Sequence, residues 1–391
     1  MKPREAVIID AVRTPVGKRG GALREWHPVD LLGHTLRHLV ERAGLDAALI
    51  DDVIAGCAMQ HEHQAGNIGR LAVLSAGFPE SVPAVTVDRQ CGSGQQAVSF
   101  AAQGVIAGSY DLAIACGVES MSQVPLPAAL TPGAPLGAQY SPLLMGRYDG
   151  GLMVPGPSSE VMNETFDFSR EDLDEFSIRS HRRAFEAARG GVFRGQMVPI
   201  TTDPRDPSGP VVVADEGIRP HLDPGKIAAL KTVFKESGRT TAANASQMSD
   251  GAAALLVADR DFAERRNLKP RARFRALSVA ADDPIIQFTA VLASTRKALN
   301  VSELSVDDID LFEINEAFAG VPLMVQRAFG IPDDKLNVNG GSIAIGHPLG
   351  STGARMLTDL LCELERTGKR LGCLTICEAS GTANTTIIER I

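Results

Sequence analysis

Two stretches of this 391-residue chain pass through the same order of elements, and that shared order restricts the fold more than any other feature. Ile50-Asp51-Asp52-Val53-Ile54 precedes Cys91 by about 40 residues, and Ile309-Asp310-Leu311-Phe312 precedes His347 and Gly350 by a similar interval. Each interval ends in a strand candidate (84–87 and 336–338) and a small-residue turn that runs into a helical pattern. The turns are Cys91-Gly-Ser-Gly94 and Gly346-His-Pro-Leu-Gly-Ser-Thr-Gly353. This spacing predicts two similar halves packed together, their strand-to-helix turns converging on one site.

The rest of the pattern agrees. Residues 1 to about 119 alternate strand candidates at 6–9, 53–56, 85–87 and 112–116 with helix candidates at 28–43 and 95–107, as an α/β sheet does. From about 120 to 245 the chain changes to Pro/Gly-rich loops around one amphipathic helix, 170–189, announced by the capping-box-like Ser169-x-x-Asp172. From about 250 the alternation returns, and the length fits two or three domains.

Several function classes drop out. With 39 Lys+Arg against 47 Asp+Glu the net charge is −8, and without a basic block nucleic acid is not the expected partner. The apolar run 6–9 is too short for a signal peptide or a membrane span. The uncharged stretch 120–146 carries Pro125, Pro127, Pro132, Pro135 and Pro142 and is expected to be a loop. Six cysteines, none spaced C-x-x-C, predict free thiols in a reducing cytoplasm and no metal site.

Four positions can carry chemistry. Cys91 follows an apolar strand and opens a helix, where unpaired N–H groups and the helix dipole favour a thiolate. His347 sits among glycines and a proline at a second turn-to-helix junction, free to move a proton. Asn315, in Asn315-Glu-Ala-Phe-Ala319, can cap a helix or hold a water. Cys377 ends the last apolar strand, whereas Cys57, Cys116, Cys362 and Cys373 lie within apolar patterns and read as packing. Each position alone also has a plain structural reading: a buried thiol, a turn-bonding imidazole, a helix cap.

Together they carry a resemblance. D-R-Q-C-G-S-G at Cys91, N-E-A-F-A at Asn315, G-H-P-L-G-S-T-G at His347 and C-E-A-S-G at Cys377 resemble the thiolase family of acetyl-CoA acyltransferases. The likeness runs from Asp10-Ala-Val-Arg-Thr-Pro-Val-Gly17 to Thr386-Ile-Ile-Glu-Arg390. It implies an α/β thiolase fold: two similar halves in a five-layer αβαβα sandwich with an inserted loop domain. The implied boundaries are 1–119 for the first half (completed by about 247–268), 120–246 for the loop domain over the coenzyme A site, and 269–391 for the second half.

The resemblance also implies an activity, reversible CoA-dependent cleavage of a 3-ketoacyl-CoA to acyl-CoA and acetyl-CoA. Cys91 would be the nucleophile, His347 its base, Asn315 the holder of an oxyanion water, and Cys377 the acid and base at the leaving and entering groups. The Cys91 and Ala379 N–H groups would form a second oxyanion hole, with Arg219 and Ser246 meeting CoA. CoA would be co-substrate, with no permanently bound cofactor, and the assembly a homodimer or homotetramer with no membrane partner. Three departures stand out: Asp88 where Asn is common, Ala379-Ser380 where the family has glycines, and Val154-Pro155-Gly156 where short-chain members carry a His-Met pair. The last points to longer or bulkier acyl groups, and the Cys91 motif is similar to actinobacterial thiolases that degrade steroids. The alternatives are a biosynthetic acetoacetyl-CoA thiolase and a non-catalytic acyl-CoA binder; the second cysteine speaks against ketoacyl and hydroxymethylglutaryl-CoA synthases.

Overall fold

The structure, a computed structural model, describes residues 4–126 and 140–391; Pro127, Pro132 and Pro135 of the expected loop lie outside them. The strand expected over 6–9 continues as β1 (Ala6–Arg13). Asp10 does not end it, because a bulge falls there and its carboxylate accepts from Arg42 Nε and Arg271 Nη1, each at 2.7 Å. Next come α1 (Pro28–Ala43), β2 (Asp52–Gly56), α2 (Ile68–Ser75), β3 (Ala84–Val87), α3 (Ser93–Ala107) and β4 (Leu112–Ser120). The first helix has the expected bounds, set by Pro28 in its first turn and Gly44 at φ +64° after its last.

Between 120 and 245 the expectation of loops around one helix is incomplete. The helix Arg170–Arg189 is there, with Ser169 and Asp172 bonded reciprocally as a capping box. Ahead of it lie a short helix, Pro142–Arg147, and the longer α4 (Pro155–Thr165), which makes Arg170–Arg189 the fifth main helix, α5. Pro142 and Pro155 read as breakers, yet each occupies a first turn, where proline costs no hydrogen bond.

The chain then forms β5 (Ser249–Asp259), β6 (Ala272–Ala281), α6 (Ala290–Ser302), β7 (Leu311–Ile314), α7 (Gly320–Phe329), α8 (Leu349–Thr367), β8 (Leu371–Glu378) and β9 (Thr382–Arg390). The strand expected at 336–338 does not form. Leu336 makes one parallel bridge to Phe312, and Asn337, left-handed at φ +42°, satisfies Ile314 with its side-chain amide instead of a backbone ladder.

Sheet order is β7-β8-β9-β6-β1-β5-β4-β2-β3, and β6 and β1 are joined through only two residue pairs. β5 lies between β1 and β4, so chain that follows the loop zone completes the first half's sheet. α1 and α2 cover one half's outer face and α6 and α7 the other's, while α3 and α8 pack together between the two halves. Helix, sheet, helix, sheet, helix is the expected five-layer order.

Glycines let the two central helices begin side by side. A Cβ on Gly94 would lie 2.6 Å from the Gly350 carbonyl oxygen, and one on Gly350 would lie 2.7 Å from Cys57 Cα. Both obstacles are backbone, which cannot step aside. The small-residue turns that mark Cys91 and His347 in the sequence are therefore what allow their helices to meet.

Candidate active site

Cys91 stands at the start of α3 on a turn wired by its neighbours. The Asp88 carboxylate accepts the Gln90 N–H at 2.7 Å, and Ser93 Oγ accepts the Arg89 N–H at 2.9 Å while donating to the Gln90 carbonyl. Gln90 is left-handed at φ +50°. Asp88 thus serves as a turn former, a task Asn could also perform. Cys91 remains partly accessible. Burial, then the neighbouring Cys377, then Glu378 push its thiol well above the ordinary range. Desolvation and the neighbouring Cys377 and Glu378 oppose the thiolate that the helix N-terminus favours.

His347 is almost fully buried, 4% exposed. Thr352 Oγ1 donates its single proton to the Pro348 carbonyl at 2.9 Å, so at 2.8 Å from His347 Nδ1 it accepts. The proton of the neutral ring therefore sits on Nδ1, and Nε2 presents its lone pair to the site, 3.4 Å from Asn315 Nδ2. Burial first, and the Arg355 charge second, depress this imidazole to about 3, so it stays a neutral base throughout the working pH range.

Asn315 does not cap a helix, since α7 begins at Gly320 with Ala319 before it. Its side chain is buried beside the imidazole. Ser342 Oγ donates to Asn315 Oδ1 at 2.7 Å, which turns Nδ2 toward His347 Nε2 at 3.4 Å. Ser342 in turn accepts from Arg355 Nη2 at 3.1 Å, and Arg355 pairs with Asp359 at 2.7 Å. Asp359 also accepts from the fully buried Arg13, which pairs with Asp215. Sequence reasoning missed Ser342, Arg355 and Thr352; the only local signal was polar residues on the buried side of a helix.

Cys377, 2% exposed, is the residue before the end of β8. Burial, with Glu378 adding to it, raises its thiol to about 12, and the Asn315 amide opposes this slightly. The electrostatic influence of Cys377 on Cys91 puts both sulfurs in one locality, with Asn315 acting on Cys377 and hydrogen-bonded to His347. In the following turn the left-handed residues are Ser380 (φ +64°) and Gly381 (φ +76°), not Ala379. The Ala379 N–H is therefore presented without strain. The strain falls on Ser380. Ser380→Gly is expected to raise stability by about 1 kcal/mol, read as a higher denaturation midpoint. No change, with the fold intact, would show that Ser380 is unstrained.

The two residues expected to meet CoA lie toward the surface. Arg219 is exposed, and its N–H donates to His181 Nδ1 at 3.2 Å; burial, then Arg219 itself, depresses that histidine to about 4. Ser246, partly buried, lies on an extended segment bonded to Ala317 at 3.0 Å and is not a helix cap. Gln247 staples the rim to the floor: Nε2 donates to the Gly217 and Ile343 carbonyls, and its own carbonyl accepts the His347 N–H. Cys57, Cys116 and Cys373 are buried packing, while Cys362 is partly exposed beside Arg271.

Comparisons with known proteins cover the whole chain. The family model "Thiolase, N-terminal domain" matches residues 6–261 and "Thiolase, C-terminal domain" matches 268–390. The chain is 48% identical, over 99% of itself and 94% of the relative, to "Steroid 3-ketoacyl-CoA thiolase FadA6" of Mycobacterium tuberculosis. It is 38% identical to the "3-ketoacyl-CoA thiolase" of Bacillus subtilis over 99% of each chain. The crystal structure of the Bacillus anthracis acetyl-CoA acetyltransferase superposes with a TM-score of 0.89 at 37% identity, covering 100% of this chain and 99% of that one.

Proposed function

Since the chain belongs to the thiolase family, as an acyltransferase of the degradative 3-ketoacyl-CoA thiolase kind, we propose how its residues divide the work. The observation that carries the reading is a buried imidazole within hydrogen-bond reach of Asn315, with Gly92 of the Cys91 turn packed on Glu378, the residue after Cys377.

His347 Nε2 takes the Cys91 proton as the sulfur bonds to the 3-keto carbon, so no thiolate need exist beforehand. The new oxyanion is held by the Cys91 and Ala379 N–H groups. Breaking the bond between C2 and C3 leaves an acyl-Cys91 and an acetyl-CoA enolate. Its thioester oxygen lies against the protonated His347 and a water on Asn315, and Cys377 delivers its proton to C2. The Cys377 thiolate then takes the proton of the incoming CoA thiol. That sulfur attacks the acyl carbon, and the departing Cys91 recovers its proton from His347. High thiol pKa values suit this scheme, because Cys377 must arrive as an acid.

Coenzyme A is co-substrate, with Arg219 and Ser246 meeting it and 120–246 acting as the loop domain over its arm. The partner protein is a second copy of this chain, as homodimer or homotetramer; β3 is a sheet edge with Val85 42% exposed, which supports pairing there. Six free cysteines fit the cytoplasm, and no helix among the described residues is long and apolar enough to cross a membrane.

The acyl group is bulky, as in a steroid-derived 3-ketoacyl-CoA. Support comes from the 48%-identical relative and from Val154-Pro155-Gly156, which stands where short-chain members carry a His-Met pair. A panel of 3-ketoacyl-CoAs of graded length and bulk, incubated with CoA and assayed for acetyl-CoA, tests this. Bulky substrates are expected to exceed acetoacetyl-CoA by tenfold or more in kcat/KM, about 1.4 kcal/mol. The opposite ranking would assign the biosynthetic role, and binding without acetyl-CoA would leave only an acyl-CoA binder.

A further inference from the structure

One buried acid has no part in that scheme, although it touches the nucleophile's turn. Glu378 follows Cys377 directly and is 1% exposed. Its Oε1 fills the place a Cβ would take at Gly92, the residue after Cys91, and has no hydrogen-bond partner among the described residues. Its other oxygen accepts from Thr382 Oγ1 at 2.6 Å. The carboxyl group is thus held at both ends: by a hydroxyl on β9, and by a glycine that admits it to the start of α3.

The groups facing it are few. Cys91 precedes Gly92 and Cys377 precedes Glu378 on β8, and a charge on Glu378 raises both thiols. Arg89 and Asp88, from the turn before α3, act on it with opposite sign. Arg89 forms no ion pair with it, and the Arg89 Nε is buried without a partner among the described residues.

We infer that Glu378 is a positioning residue whose carboxyl, seated on Gly92 beside both thiols, sets when Cys91 can become a thiolate, so that the site manages its protons through three groups rather than two. In the acid form Glu378 leaves the cysteine pair without a neighbouring charge. As a carboxylate it opposes a thiolate on either sulfur. Burial raises its titration to about 8, with Thr382 pulling the other way, so the carboxyl changes charge below the range in which either raised thiol ionises. The inference rests on Cys91 being the reactive thiol.

The test is the rate of iodoacetamide alkylation at Cys91, followed by peptide mass from pH 6.5 to 10, in the wild type and in Glu378→Gln. Glutamine keeps an acceptor for Thr382 and the contact with Gly92 but cannot ionise. The two profiles are expected to coincide at the acid end and to part above about pH 8, where the wild type bends downward. There Glu378→Gln should react roughly tenfold faster, one pK unit of relief at the thiol. Glu378→Asp keeps the charge and should keep the bend. If Glu378→Gln does not fold, Thr382→Val serves instead: losing the donor that favours the carboxylate keeps Glu378 acidic to higher pH, so the bend moves upward. Superposable profiles in folded variants overturn the role of Glu378 alone. Alkylation that spares Cys91 overturns the assignment of the nucleophile as well.

Discussion

Alanine at Cys91 is expected to abolish acetyl-CoA release from a 3-ketoacyl-CoA and CoA, a loss on the order of 10⁵-fold in kcat, as when other covalent nucleophiles are removed. The size follows from the chemistry: without the sulfur nothing receives the acyl group, and direct attack by CoA lacks a catalysed path. The fold should be indifferent. Cys91 lies on a turn held by Asp88, Ser93 and Gln90, none of which depends on the thiol. The measurement pairs turnover with the thermal midpoint. A variant that keeps more than about a hundredth of the activity would remove Cys91 from the nucleophile's role.

Alanine at Cys377 has a different signature. Turnover should fall by roughly 10²–10⁴-fold, the usual contribution of a positioned acid or base. Cys91 and His347 would still be present, so the acyl group can still be loaded, with water supplying the proton at C2, but the CoA thiol lacks the base that hands the acyl group on. An acyl mass is therefore expected to accumulate on the Cys91 peptide of Cys377→Ala after incubation with substrate. Its appearance elsewhere, or its absence with Cys377 alone removed, would reverse the division of labour between the two thiols.

Much of the architecture was legible because it is written locally. Pro28 and Gly44 set the ends of α1, and Ser169 with Asp172 sets the start of α5. Both are features of consecutive residues. The failures were local patterns read too simply: Pro155 lies in the zone read as Pro/Gly-rich loops but opens α4, and 336–338 has strand-like residues but follows the side chain of Asn337 instead. Asn315 looked like a helix cap because the four residues between it and α7 could not be known to be non-helical.

The sequence by itself pointed to Cys91, Asn315, His347 and Cys377 as candidates for the chemistry and to two like halves, since periodicity, turn composition and motif order depend on neighbours along the chain. Only the tertiary structure decided what state those residues are in. Thr352 fixes the His347 tautomer, Ser342 turns the Asn315 amide, and Glu378 settles on Gly92. The resistance of His347, Cys91 and Cys377 to charge follows from exclusion of water by segments hundreds of residues apart. The cost of burying a charge depends on everything packed around it, and no stretch of sequence contains that surrounding.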